Sequence, residues 1–185
     1  MKAVFLGASA LLLAASLAGC STTGGGEEAR GGTEVTRVHL GQPVARGRIA
    51  VEAFDAADSN MPEFGSYAAA VGTQLSRLGW TVVTAAGQGE QVALVDVEQG
   101  SRGALQGRGM RTGTGAAPAA AGRASDAQAV MLEVSIKRRS DGSVIWEGRA
   151  LTQAAGSARA AAVQRLSEAL FRDFPGESGR TISTR

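Results

Sequence analysis

Few side chains in this 185-residue sequence could do covalent chemistry, so their positions matter more than their number. There is one cysteine, Cys20, and one histidine, His39; the lysines are Lys2 and Lys137. A catalytic nucleophile needs an activated Ser, Cys or Lys beside a base, and a zinc site needs a cluster of Cys and His. Neither pattern occurs, and His39 falls on the phase of an edge-like strand expected to face solvent. Asp55, Asp58 and Glu63 form the closest acidic group. Their spacing is not that of a calcium loop, and they lead into a helix whose positive end suits acidic residues. No catalytic residue, metal or cofactor is therefore assigned. The other charged feature is the run 99–125, with seven glycines, the four arginines Arg102, Arg108, Arg111 and Arg123, and no acidic residue. A loop of that length inside a compact domain is either disordered or functional, and in the second case it is the candidate anion-binding loop. Its stretch 107–113 misses the glycine spacing of dinucleotide and Walker loops, so no nucleotide is assigned.

The place of Cys20 explains its isolation. Lys2 supplies a positive start, residues 4–17 are apolar, and Ala18 and Gly19 are small, which is the layout of a secretory signal. The apolar run is too short to span a bilayer comfortably, and a single cysteine cannot form a disulfide within the chain. Leu17-Ala18-Gly19-Cys20 resembles the lipobox of bacterial lipoproteins. The resemblance implies cleavage before Cys20, a diacylglyceryl group on its sulfur and a further acyl chain on its amine. Two or more acyl chains, at roughly 0.8 kcal/mol per buried methylene, hold a protein on a membrane durably. Ser21 follows the cysteine in place of Asp, which by the enterobacterial sorting rule directs the protein to the outer membrane, facing the periplasm. Residues 1–19 are then a signal peptide and 20–33 a flexible Ser/Thr/Gly-rich tether, spanning on the order of 20 Å root-mean-square.

About 130 residues are left to build one modest core. The formal charge of +2 reflects arginine outnumbering lysine, not a basic cluster able to neutralise many phosphates, so nucleic acid is not expected. From Glu34 the residues Thr36, Val38 and Leu40 alternate with Val35, Arg37 and His39, the period of a strand. A second strand covers Arg48 to Glu52. Between Pro62 and Leu78, Phe64, Tyr67, Ala68, Val71, Leu75 and Leu78 form one stripe of an amphipathic helix, with Gly79 just past its end. Residues 80–84 and 91–98 read as strands, the latter apolar enough to be interior.

The next pair of strands is a hairpin whose register can be worked out. A two-residue turn at Asp141-Gly142 would set Ile136 against Glu147. A three-residue loop, Ser140-Asp141-Gly142, with Gly142 left-handed at a bulge, sets Ile136 opposite Trp146 and Val134 opposite Gly148. Trp146 then has room to lie over Gly148. A final helix runs from about 158 to 171, capped by Ser157, with Val163, Leu166, Leu170 and Phe174 on its buried side. The expected fold is α+β: a largely antiparallel sheet of about five to six strands with two helices packed on one face, in a single domain over 34–175, followed by a loose polar tail at 176–185.

The lipobox, the first helix ending in Leu-Gly, the glycine-rich insertion, the run 142–150 (GSVIWEGRA) and a last helix entering LFRDFPGESGR (170–180) together resemble the lipoproteins grouped as domain of unknown function 4136. The resemblance implies a cell-envelope lipoprotein with an α+β domain and brings no catalytic residues. The expected function is a non-enzymatic binding or structural accessory module with an envelope protein or glycan partner. The alternative is a small-ligand binder or enzyme using a pocket between sheet and helices, which converging polar side chains in a buried pocket would reveal.

Overall fold

The computed structural model describes residues 32–111, 127–153 and 159–184. The leader, most of the tether, Arg123 and Ser157 lie outside the described residues. The elements run β1 (Thr33–His39), β2 (Arg48–Ala53), a 3-10 turn (Ala56–Asn60), α1 (Phe64–Arg77), β3 (Thr81–Val83), β4 (Gln91–Ser101), α2 (Arg102–Gln106), β5 (Gln128–Arg138), β6 (Val144–Gln153), α3 (Arg159–Phe171) and β7 (Thr181–Thr184). The strands form one seven-stranded sheet in the order β3-β2-β4-β5-β6-β1-β7.

The class is α+β, with corrections to its parts. The sheet is mixed, because β2 pairs parallel with both β3 and β4. Residue pattern does not distinguish a parallel from an antiparallel partner for strands as short as these. The tail is not loose: its Thr181–Thr184 segment pairs with β1, which is therefore an interior strand and not an edge. Val35, Arg37 and His39 point to the face that carries the helices, so the phase expected to face solvent is the inward one, and Leu40 is 85% exposed. A third short helix, α2, lies on the opposite face.

α1 and α3 cover the first face. Tyr67, Val71 and Leu75 of α1 and Val163, Leu166 and Leu170 of α3 pack with Val130, Leu132, Val134 and Ile136 of β5. The hairpin register is the expected one, Ile136 opposite Trp146 and Val134 opposite Gly148, with the irregularity at Ile136/Lys137 and Gly142 at φ +70°. A Cβ at Gly148 would overlap the Trp146 ring and stand 2.8 Å from Leu170 Cδ1. Only glycine leaves the indole its place.

That indole stacks on Phe171 with centroids 5.4 Å apart and donates its N–H to Pro175 O at 3.0 Å. Phe174 bridges Trp146 to Trp80. The end of α3 is held by Arg37, which reaches across from β1: Nε donates to Leu170 O at 2.8 Å, and Nη2 to Ala169 O and Arg172 O, both at 2.9 Å. These are the carbonyls a helix end leaves without partners, and a cation there also suits the negative end of the helix. Burial lowers the Arg37 pKa, against the opposing pull of Asp173. Gly176, at φ +76°, lies where a Cβ would strike the Arg37 side chain, so the Phe174-Pro175-Gly176 run can cross over the guanidinium.

Candidate functional site

The second face of the sheet is built differently. β4 pairs with β5 along its whole length, up to Ser101 opposite Gln128, and the Ser101 hydroxyl then accepts from Ala104 N to start α2. α2 sets Leu105 on Ala129, Met131 and Leu151, a small apolar cluster of its own. Both oxygens of Glu34 are occupied from α2, by Arg102 Nη2 at 2.5 Å and Gln106 Nε2 at 2.9 Å. Residues 107–111 continue as a strap over a patch where polar side chains replace the apolar ones. Asp96 of β4, Glu133 of β5 and Arg149 of β6 lie side by side across adjacent strands, with Glu147 next along β6. Each is at most 5% exposed.

The strap supplies much of what neutralises them. Arg111 donates its backbone N–H to Glu133 Oε1 at 2.6 Å and its Nη1 to Asp96 Oδ2 at 2.8 Å, with its guanidinium 4.7 Å above the Phe54 ring. Arg108 pairs with Glu98, and its carbonyl accepts from Arg149 Nη1 at 2.5 Å. The hydrogen bond to Asp96 raises the Arg111 pKa; burial lowers that of Arg149, countered by Glu133 and Glu147. Glu133 is the member least well matched. Burial pushes its carboxyl up to about 7, the Arg111 N–H pulls the other way, and Glu147 adds repulsion. Among the described residues its Oε2 has no hydrogen-bond partner, nor does the neighbouring Ser135 hydroxyl.

A buried carboxyl poised near neutrality could in principle exchange a proton with a bound molecule. The cavities found among the described residues are too small for a sizeable one. The best-formed cavity among the described residues, lined by Glu34, Thr36, Leu105, Gln106, Arg149, Leu151 and Thr181, holds about 20 Å³, room for a single water. The next, between Tyr67, Phe64 and Val95 on the helix-bearing face, holds about 10 Å³. Polar groups do converge here, as a ligand binder would require, but they converge on one another.

Of the arginines expected to bind an external anion, Arg102, Arg108 and Arg111 are matched to Glu34, Glu98 and Asp96 of the same sheet face, and Arg123 lies outside the described residues. His39 is not solvated but hydrogen-bonded: Nδ1 accepts from Gly41 N at 3.1 Å, and Nε2 lies 3.0 Å from Gly176 O, which fixes the tautomer with its proton on Nε2. Asp55 caps the 3-10 turn through Ala57 N. Among the described residues no group of three or more His, Cys, Asp or Glu is arranged to hold a metal ion, and no helix is long and apolar enough to cross a membrane. Asp96, Glu133, Glu147 and Arg149 escaped the sequence reading because alternate polar residues on a strand ordinarily face water. The signal lay in the loop itself: a run with four arginines and no acid among its own residues leaves any carboxylate partner to come from elsewhere in the chain.

No protein-family model matches the chain. A stretch of 55 residues, 28% of the chain, is 47% identical to an uncharacterized protein of Zymomonas mobilis, and it spans 21% of that relative's length. Among solved structures, a PDZ domain protein from Parabacteroides distasonis superposes with a TM-score of 0.55 at 13% identity, over 82% of this chain and 39% of that one. A PelC dodecamer from Paraburkholderia phytofirmans gives a TM-score of 0.46 at 17% identity, over 75% of this chain and 94% of that one. The first likeness is one of fold.

Proposed function

We propose that this chain is a cell-envelope lipoprotein of the kind grouped as domain of unknown function 4136, anchored by an acylated Cys20 to the outer membrane and facing the periplasm. Its domain acts there as a non-enzymatic binding or structural accessory module. The observation that carries the reading is the sole cysteine directly after Leu17-Ala18-Gly19, at the end of a charged-then-apolar leader. The fold supports the second half of it. The titratable groups that converge are spent on one another across the second face, and the cavities beside them are water-sized. What remains to offer a partner is surface.

Cys20→Ser separates this from a simple secreted protein. The native chain should pellet with membranes and give an N-terminal peptide heavier by its acyl groups, whereas the variant should stay unprocessed or become soluble and carry no lipid. A native N-terminal peptide of unmodified mass would overturn the proposal.

A further inference from the structure

The strand registers divide the domain into two ends. Thr33, Ala53, Ser101, Gln128 and Gln153 lie at one, where the tether enters; His39, Arg48, Thr81, Gln91, Arg138 and Val144 lie at the other. The far end gathers Arg46 from the loop before β2, Arg48 at the start of β2, Arg77 from the last turn of α1 and Arg172 just past α3. All four are exposed, and none is in an ion pair with a carboxylate among the described residues. Arg46 lies 5.6 Å from the centroid of the Trp80 ring, Trp80 meets Phe174 edge-on at 5.3 Å, and Arg48 is in register with Thr81 beside Trp80. Arg46 thus lies against this aromatic pair, and Arg48, Arg77 and Arg172 emerge at the same end of the domain.

The acidic groups at this end are fewer and mostly engaged elsewhere. Asp141 and Glu177 pair with Arg138 and Arg180, and Asp173 acts on the buried Arg37, which leaves Glu90, whose Oε2 lies 2.8 Å from where a Cβ on Gly47 would stand, between Arg46 and Arg48. The negative helix ends are masked too. Arg37 takes the last carbonyls of α3, while Gly79 N and Trp80 N bond back to Ser76 O and Leu75 O and close the end of α1.

We propose that this membrane-distal end is a docking surface for a carboxylate-bearing glycan polymer of the cell wall. The proposal rests on the lipid-anchor reading for its geometry, since the tether leaves the domain at the opposite end. Four cations on four separate chain segments, with no enclosing pocket, suit an extended polyanion and not a small anion.

The test uses the full acylated chain in neutral detergent micelles, co-sedimented with isolated peptidoglycan sacculi, and in parallel floated with phosphatidylglycerol vesicles. A variant with Arg46, Arg48, Arg77 and Arg172 all changed to Gln should bind sacculi about tenfold less tightly, as expected for four exposed charge pairs. Arg165→Gln, on the outer side of α3, should bind as the native chain does, and added salt should weaken native binding. If the quadruple variant loses thermal stability, the pair Arg77→Gln and Arg172→Gln replaces it. Equal retention of the variants on sacculi, or a loss of vesicle flotation by the quadruple variant as large as its loss of sacculus binding, overturns the proposal. Failure of the anchor reading shows separately, as an unmodified N-terminal mass in the same preparation.

Discussion

The two faces of one sheet are buried by opposite means. On the helix-bearing face, Trp146, Leu166, Leu170 and Ile136 exclude water by packing; on the other, Asp96, Glu133, Glu147 and Arg149 are equally hidden but held by charge and hydrogen bonds under a strap. Packed apolar groups favour the folded state outright. Buried charges favour it only while every member is matched. The difference teaches where the fold is robust and where it responds to conditions, and substitutions on each face should show it.

The largest loss is expected from Trp146→Ala. The indole is fully buried, fills the space Gly148 leaves, and joins Phe171, Phe174 and Pro175 to the sheet. Removing it should cost about 3–5 kcal/mol in chemical denaturation, equally at pH 5 and pH 8. A loss below about 1 kcal/mol would mean that the aromatic cluster does not hold the C-terminal run to the core.

The second face should respond to pH where the first does not. The Glu133 carboxyl has an ordinary pKa of 4.5 and stands at about 7 in the folded chain. Between those values the folded state binds more protons than the unfolded one, so stability falls as pH rises from about 4.5 through 7 and the penalty is complete above that. Glu133→Gln keeps an acceptor for the Arg111 N–H and removes the charge. It should gain about 2 kcal/mol at pH 8, gain little at pH 5, and flatten the slope between them. An unchanged slope would show that the mismatch at this carboxyl is relieved by its surroundings.

The contrast also explains what could be read in advance. The hairpin register followed from requiring two apolar faces to agree, and Trp146 over Gly148 came with it, because packing leaves a periodic trace in sequence. β7 left none: Thr181-Ile182-Ser183-Thr184 is short and polar, and it becomes a strand only because β1 offers it an open edge. Arg37 likewise looked like the polar phase of a strand, although its role is to close α3 at residues 169–172, more than 130 positions away. The charged patch failed for the same reason. An arginine in a glycine-rich run and a glutamate on a strand each look solvated alone, and only the fold brings them together.

The smallest effect is expected within the charged face itself, at Arg108. Its side chain is 58% exposed where it meets Glu98, so Arg108→Gln removes a solvated ion pair worth less than about 1 kcal/mol and further weakened by salt. The contact that ties this residue to the buried network uses its carbonyl, which accepts from Arg149 and survives the substitution. Arg111 is the control, since its partner Asp96 is only 5% exposed and would be left as a buried charge without its cation. Urea melts of Arg108→Gln and Arg111→Gln should therefore diverge, the first near native and the second clearly destabilised. Equal, small losses would show that the strap lies on the face without neutralising it, and that Asp96 and Glu133 are matched by the sheet alone.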